Sequence, residues 1–147
     1  NIYVMELNIN IENNKYLDPK VVGIGILVID NKILLVKRGI EPGYGKWSMP
    51  SGFINRFEKV EDAIERELSE ECGIVVKANW ISGVYSEKDS PIILLVWDLS
   101  LISGDPKPLD ETIEVGFFDL DKLPELAFDH DDKIISDWQN QISLKDL

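Results

Sequence analysis

The sequence contains a single cysteine, Cys72, and a single histidine, His130, among its 147 residues. An intrachain disulfide needs two cysteines, and a structural zinc site needs about four cysteine or histidine ligands. Both features are therefore excluded, and catalysis centred on histidine is disfavoured. If this chain is an enzyme, carboxylates must carry its chemistry.

Positive charge is also scarce, because 15 Lys and Arg stand against 27 Asp and Glu and give a net charge of -12. Nucleic-acid binding depends on basic side chains that neutralise phosphates, so we expect no nucleic-acid partner. The longest apolar run, residues 21–29, is interrupted by Gly23 and Gly25. We therefore expect no membrane span, no signal peptide and no membrane partner. Together with the lone thiol, this favours a cytoplasmic location.

The length fits one domain, and we expect residues 1–147 to form it, with the polar residues 1–20 as an N-terminal arm or edge strand. Residues 21–29 and 33–36 have the pattern of a hairpin. Further strands are expected at 74–76, 80–85, 92–101 and 113–118, helices at 59–72 and 129–141, and a short helical turn at Asp121–Leu126. This order predicts an α/β fold in which helices pack on a mixed sheet.

The helix expected at 59–72 has acids in an unusual place. Glu67, Glu70 and Glu71 lie in the sector that is apolar in the first turns, so they point toward the body of the protein. Like charges at these spacings cost about 0.2 to 0.5 kcal/mol per pair, and the negative end of the helix dipole lies close by. A hard divalent cation would offset this repulsion. The alternative is a solvated acidic patch on an acidic protein.

The surrounding segment favours the metal site. It fixes nine positions: Gly52, Glu58, Arg66, Glu67, Leu68, Glu70, Glu71, Gly73 and Ile74. With these residue types and spacings, the sequence resembles the Nudix hydrolase family. A chance match has a probability on the order of one in a billion per starting position. The resemblance implies a Nudix-type α/β/α sandwich with a mixed central sheet.

The resemblance also implies an activity, which is hydrolysis of the pyrophosphate bond in a nucleoside diphosphate linked to another moiety, by attack of water at phosphorus. By resemblance, Glu67, Glu70, Glu71 and the carbonyl of Gly52 would hold Mg2+ or Mn2+. Arg66 would tether Glu58, which is a support or a further ligand. The proton acceptor stays open among Glu67, Glu71 and Glu114.

Substrate contacts are expected at a few positions outside the motif. By resemblance, Arg38 would contact phosphate, whereas Trp47 and Phe53 would either stack on a base or belong to the core. Phe128 lies in a segment, residues 126–130, that resembles Nudix proteins acting on ADP-ribose and dinucleotides, while His130 is expected at the surface. We therefore favour a small nucleotide substrate of the ADP-ribose or dinucleotide type. Hydrolysis of nucleoside triphosphates and a non-catalytic nucleotide sensor are the alternatives.

The sequence departs from the family pattern at Phe57 and Lys59, where a glycine and a Ser or Thr are common. Phe57 resists the positive φ that glycine adopts, and Lys59 cannot accept the N-cap hydrogen bond. We therefore expect the loop before the helix to run differently from that of the family, which affects the role of Glu58. A homodimer that exchanges the N-terminal arm is compatible with the sequence.

Overall fold

The structure, a computed structural model, describes residues 19–145, so the predicted N-terminal arm lies almost wholly outside the described residues. Within this range no helix is both long and apolar enough to cross a membrane. The strands are β1 (Lys20–Ile29), β2 (Lys32–Arg38), β3 (Trp47–Ser48), β4 (Ser51–Phe53), β5 (Val75–Ser86), β6 (Ile92–Ser103) and β7 (Thr112–Asp119). The helices are α1 (Val60–Cys72) and α2 (Asp131–Lys145).

The sheet is mixed, as predicted, and β1 lies at its centre. β1 is antiparallel to β2 and β4 and parallel to β6, and the strand order is β3-β2-β1-β6-β5 with β7 beside β2. Asp30 and Asn31 join β1 to β2, both with positive φ, as the tight two-residue turn of a hairpin requires. The predicted hairpin is therefore confirmed.

The two helices cover opposite faces of the sheet, because alternate residues of each strand point in opposite directions. On one face α1 buries Ile64 and Leu68 against Leu27 of β1. On the other face α2 buries Ile134 and Trp138 against the side of β1 that carries Ile26. This arrangement confirms the α/β/α sandwich.

Two local predictions need correction. The segments expected as separate strands at 74–76 and 80–85 form one strand, β5, which is interrupted by bulges. The helical turn predicted at Asp121–Leu126 is wrong. The backbone there bonds to β3 instead, since the Trp47 N–H donates to the Glu125 carbonyl and the Ala127 N–H donates to the Trp47 carbonyl.

Helix α1 begins and ends as its sequence predicts. Lys59 occupies the N-cap position without a side-chain hydrogen bond. Gly73 follows the last turn with φ of 67° and donates its N–H to the Ser69 carbonyl, which is the usual role of a glycine after a helix. These ends place the three glutamates in the last two turns of α1.

In the loop before α1, Phe57 does not resist a positive φ as the sequence led us to expect. Phe57 adopts φ of 67°, the left-handed conformation that glycine would adopt, and its side chain is 89% exposed. The loop is closed by the Asn55 N–H, which donates to the Glu58 carboxylate, and by the Glu58 N–H, which donates to the Asn55 carbonyl. Glu58 therefore keeps its position at the cost of backbone strain at Phe57.

We expect Phe57→Gly to stabilise the protein slightly. The left-handed conformation costs an L-residue about 1 to 2 kcal/mol, and the extra freedom of glycine in the unfolded chain offsets about 0.5 to 1 kcal/mol of that gain. The exposed ring contributes little packing, so the melting temperature should rise by about 1 to 3 °C. Phe57→Ala is the matched control, because it removes the ring but keeps the strain. An equal rise in both variants would contradict this explanation.

Candidate active site

The acidic end of α1 lies against the backbone of β4. The Glu67 carboxylate packs on Gly52 so closely that a Cβ at position 52 would overlap it. The Ser51 N–H donates to Oε2 of Glu71 over 3.1 Å. A side chain at position 52 would displace the Glu67 carboxylate, so glycine is what lets that carboxylate lie against the β4 backbone.

Arg66 binds three carboxylates, one from the loop before α1 and two from α1 itself. Its guanidinium donates to both oxygens of Glu58 over 2.8 and 3.0 Å, to Glu67 over 2.9 Å and to Glu70 over 3.1 Å. A further bond of 3.1 Å reaches the Phe53 carbonyl. The predicted Arg66–Glu58 contact is present. Arg66 therefore connects the loop, β4 and two acids of α1 at a single point.

The carboxylates differ in their electrostatic surroundings. The hydrogen bond from Arg66 lowers the pKa of Glu58, and the same bond raises the pKa of the guanidinium. Burial raises the pKa of Glu67 despite its bond to Arg66. Burial, followed by the charge of Glu67, raises the pKa of Glu71 to about 8. Arg66 forms salt bridges with Glu58, Glu67 and Glu70, whereas Glu71 has no salt bridge among residues 19–145. A cation bound at Glu71 would therefore neutralise a carboxylate that no basic side chain within that range pairs with.

The donor set fits a hard divalent cation. Every candidate ligand in this group is an oxygen, which is the ligand type that Mg2+ prefers. As the side chains stand, no three acidic, histidine or cysteine residues in the described part of the chain converge as a metal cluster. Arg66 supplies the positive charge to Glu67 and Glu70 instead. The half-buried Glu71, which accepts the Ser51 N–H and has a raised pKa, is the observation that supports the fit.

We expect added Mg2+ to stabilise the protein more strongly as pH rises from about 5 to 8. In the metal-free protein Glu71 holds its proton up to a pKa of about 8, whereas in the unfolded chain it loses the proton near 4.5. The metal-free fold therefore loses stability as pH rises through this window. A cation must displace the proton, so its apparent affinity should improve about tenfold per pH unit below the folded pKa.

Melting temperatures measured with and without Mg2+ across this pH range test the expectation. The Glu71→Gln variant, which has no proton to lose at this position, should show a smaller and flatter Mg2+ effect. A Mg2+ shift that does not depend on pH in the wild type would contradict it.

A cleft of about 870 Å³ opens beside these acids. Its floor is a row of neighbouring residues that crosses β4, β1, β6 and β5. In this row Phe53 pairs with Val22, Val22 with Leu94, and Leu94 with Tyr85. A second wall comes from the end of β2, from β3 and from the segment that enters α2. The floor is largely apolar, whereas this second wall, which we call the polar wall, carries charged and polar groups such as Arg38, His130 and Asp131 beside apolar ones.

Arg38, at the end of β2, is held on the polar wall by the glycine-rich loop that follows it. Its Nε donates to the Pro42 carbonyl, and its guanidinium lies over the Phe128 ring at 5.1 Å from the centroid. A Cβ on Gly43 would come within 3.2 Å of Arg38 Cδ and 2.9 Å of Ala127 Cβ. The glycines thus let this loop close over Arg38 while its terminal nitrogens stay available in the cleft.

The structure brings some of the predicted site residues together and separates others. Arg38, Phe53 and Phe128 line the cleft with the acids of α1. Trp47 does not line it, because its ring packs edge-on against Phe118 at 4.7 Å beside the core, which favours the core role over stacking on a base. Glu114 does not line it either. It lies on β7 opposite Lys37, 3.9 Å from the lysine Nζ, so this position disfavours its role as proton acceptor, which stays a prediction.

Sequence reasoning missed two acids of the cleft, Asp110 and Glu111. The segment before them satisfies the free carbonyls at the end of α1, since the Leu109 N–H donates to the Glu71 carbonyl and the Lys107 N–H donates to the Cys72 carbonyl. These bonds bring Asp110 close enough for its charge to contribute to the raised pKa of Glu71. The only sequence signal was an Asp-Glu pair directly before a strand, which is too common to stand out.

His130 was expected at the surface, and its side chain is indeed about a third exposed, but sequence reasoning did not connect it with the cleft. His130 lines the cleft, and its ring stacks on Phe128 at 5.5 Å with 9° between the planes. Its Nε2 lies 3.5 Å from Oδ1 of Asp131, a carboxylate that is 2% exposed. Burial raises the pKa of Asp131 to about 6.

Comparison with known proteins gives consistent results. The family model for the NUDIX domain matches residues 19–139. The ADP-ribose pyrophosphatase of Methanocaldococcus jannaschii is 45% identical over 85% of this chain and 78% of its own length. A NUDIX hydrolase structure from Nitrosomonas europaea superposes with a TM-score of 0.77 at 31% identity, over 82% of this chain and 69% of that one. An ADP-ribose pyrophosphatase structure from Streptococcus suis gives 0.72 at 26% identity, over 84% and 92%.

Proposed function

This chain belongs to the Nudix family and is a Nudix-type pyrophosphohydrolase; from that membership we propose that it hydrolyses ADP-ribose or a closely similar sugar-linked nucleoside diphosphate. The observation that carries the proposal is the meeting of the α1 acids with the Gly52 backbone at one end of a cleft that Arg38 also lines. The similarity to proteins named ADP-ribose pyrophosphatase supports the substrate.

Mg2+, or Mn2+ in its place, is the proposed cofactor. Its ligands would be Glu67, Glu70, Glu71 and the carbonyl of Gly52, which are oxygens only. When bound, such a cation polarises phosphoryl oxygens and lowers the pKa of a coordinated water. Arg66 would keep Glu67 and Glu70 in place and hold the loop through Glu58.

The protein's own carboxylates would accept the proton from the attacking water. Glu67 and Glu71 stay candidates, and we place Asp110 and Glu111 ahead of Glu114, because they line the cleft and Glu114 does not. A carboxylate with a raised pKa is a better base near neutral pH than an ordinary one. The raised pKa of Glu71 belongs to the metal-free protein, and a cation bound to Glu71 would lower it, so it does not single out Glu71 as the base.

Substrate binding follows from the two walls of the cleft. Arg38 is the cation best placed for the diphosphate, since its side chain is fixed by Pro42 and Phe128. Phe53 is 55% exposed on the apolar floor and offers a surface on which a base can stack. The ring of Phe128 is already in contact with Arg38 and His130, so its proposed role is to position these two groups.

Further proposals concern the wider setting of the protein. We propose that one Nudix domain accounts for residues 1–147 and that it acts in the reducing cytoplasm, where the buried free thiol of Cys72 would stay reduced. The net charge of -12 supports a small nucleotide as substrate over a nucleic acid. A homodimer that exchanges residues 1–20 is the proposed assembly, and sedimentation of the full chain against a chain without these residues tests it.

A substrate panel tests the proposed activity. ADP-ribose, NADH, FAD, a diadenosine polyphosphate, and ordinary and oxidised nucleoside triphosphates are each incubated with Mg2+ or Mn2+, and phosphate release is coupled through a phosphatase. We expect the highest kcat/KM for ADP-ribose and loss of turnover with chelator. A preference for triphosphates would show that the protein is a triphosphate hydrolase and not an ADP-ribose hydrolase. Tight nucleotide binding without any turnover would favour a non-catalytic sensor.

A further inference from the structure

The polar wall of the cleft contains a group of side chains that metal binding and diphosphate binding do not require. His130 stacks on Phe128, and its Nε2 lies 3.5 Å from the buried carboxylate of Asp131. Asp131 also accepts the Phe128 N–H over 3.2 Å, so the ring on which His130 stacks is held at its backbone. The imidazole is thus fixed on one face by Phe128 and along its edge by Asp131, while about a third of the His130 side chain stays exposed.

The chemistry of this group differs from that of the opposite floor. The row from Phe53 through Val22 to Leu94 offers flat apolar surface, which suits a nucleobase. An imidazole carries one donor and one acceptor when neutral, which suits hydroxyl groups. A polyol also needs neighbouring polar groups that stay fixed, because a mobile partner loses entropy on binding. His130 meets this requirement because Phe128 and Asp131 hold it.

The position of Arg38 indicates which part of the substrate lies near His130. Its guanidinium lies over Phe128, the same ring on which His130 stacks. A diphosphate bound to Arg38 would therefore lie in the same cleft as His130, with only the Phe128 ring linking the two side chains. A moiety attached to the diphosphate on the Phe128 side would extend toward the imidazole.

From this arrangement, which rests on the hydrolase function proposed above, we propose that His130 is a specificity-determining residue that hydrogen-bonds a hydroxyl of the sugar joined to the nucleoside diphosphate. Phe128 and Asp131 are positioning residues for it. The base occupies the apolar floor. The polar wall thereby selects sugar-linked diphosphates over those linked to a group without hydroxyls.

The test compares two substrates that share the nucleotide and differ in the linked group. One is ADP-ribose, and the other is adenosine diphosphate esterified to propanol, which has no free hydroxyl on the linked group. We expect the wild type to favour ADP-ribose by about 100-fold in kcat/KM, since a site built for a hydroxyl discriminates strongly against its absence. In His130→Phe, which keeps a stacking ring, this ratio should fall to below about tenfold.

Two further variants separate hydrogen bonding from a general disturbance of the wall. His130→Asn keeps a donor and an acceptor and should retain more of the preference than His130→Phe. Asp132→Asn changes an exposed neighbour that does not line the cleft and should leave the ratio as in the wild type. Melting temperatures of all variants show whether each is folded.

Three results would overturn the inference. The first is an unchanged ratio in a folded His130→Phe. The second is a change in preference between adenine and uracil diphosphate sugars in that variant without a change in the ribose preference, which would place the base at His130. The third is equal turnover of both esters by the wild type, which removes the sugar site but leaves the hydrolase. Turnover of neither ester with Mg2+ or Mn2+ overturns the hydrolase itself, and the sugar site with it.

Discussion

Replacing Glu71 with Gln should lower kcat for ADP-ribose by about 1000-fold without lowering the stability of the metal-free protein. The loss follows because metal catalysis supplies several kcal/mol of transition-state stabilisation, and an amide is a poor substitute for a carboxylate ligand. Stability should persist because the amide oxygen can still accept the Ser51 N–H that Glu71 now accepts. Near pH 7 the raised pKa of about 8 already leaves most of Glu71 protonated in the metal-free fold, so no charge is lost.

The matched control is Asp62→Asn, which makes the same chemical change in the exposed first turn of α1, outside the cleft. It should keep wild-type kcat. Steady-state rates give kcat and KM separately, and melting temperatures in chelator give the stability of both variants. A Glu71→Gln variant that retains more than about a tenth of wild-type kcat would show that this carboxylate is not a ligand of an essential metal.

Arg66→Lys is expected to reduce kcat/KM by about 10- to 100-fold, which is the usual range for residues that orient metal ligands. Arg66 makes five hydrogen bonds that join Glu58, Glu67, Glu70 and the Phe53 carbonyl. Lysine carries the same charge as a single point and cannot reproduce the two parallel bonds to Glu58. Arg66→Lys therefore tests whether the orientation of the carboxylates matters, because it keeps the positive charge but removes the paired hydrogen bonds.

Two comparisons sharpen this prediction. Arg56→Lys alters an exposed arginine of the same loop that does not line the cleft, and it should leave kcat/KM unchanged. Glu58→Gln should lower activity as well, and the double variant should lose less than the product of the two single losses, because both act through one contact. Strict multiplication of the two losses would indicate that Arg66 and Glu58 act independently.

Much of the fold follows from local patterns in the sequence. The hairpin of β1 and β2 was predictable because two apolar runs flank a short polar turn, and α1 because good helix formers end at Gly73. The turn expected at Asp121–Leu126 failed because its backbone bonds to Trp47, far away in the sequence. The same holds for β5, whose two apparent segments join only because β6 pairs along both.

In the candidate site, too, features set by local sequence could be predicted, whereas features set by contacts distant in the sequence could not. The repulsion among its acids on a core-facing helix sector raised the question of a metal but left a solvated patch equally open, and only the resemblance of the nine-position motif to the Nudix family favoured the metal site. Glu114 and Trp47 lie outside the cleft because their surroundings are set by β7 and by the core cluster, which no local pattern reveals. The place of His130 in the cleft could not be read from the sequence for a related reason, since it depends on Phe128 and on the buried Asp131.

Hydrolysis of ADP-ribose in 18O-labelled water tests the central claim most directly. The protein is freed of metal with chelator, Mg2+ or Mn2+ is added back, and the products are resolved by mass. We expect no turnover before the metal is added, AMP and ribose 5-phosphate in equal amounts afterwards, and 18O in only one of the two phosphates, because water attacks a single phosphorus. Equal rates with and without metal, or no turnover with either cation, would contradict the claim.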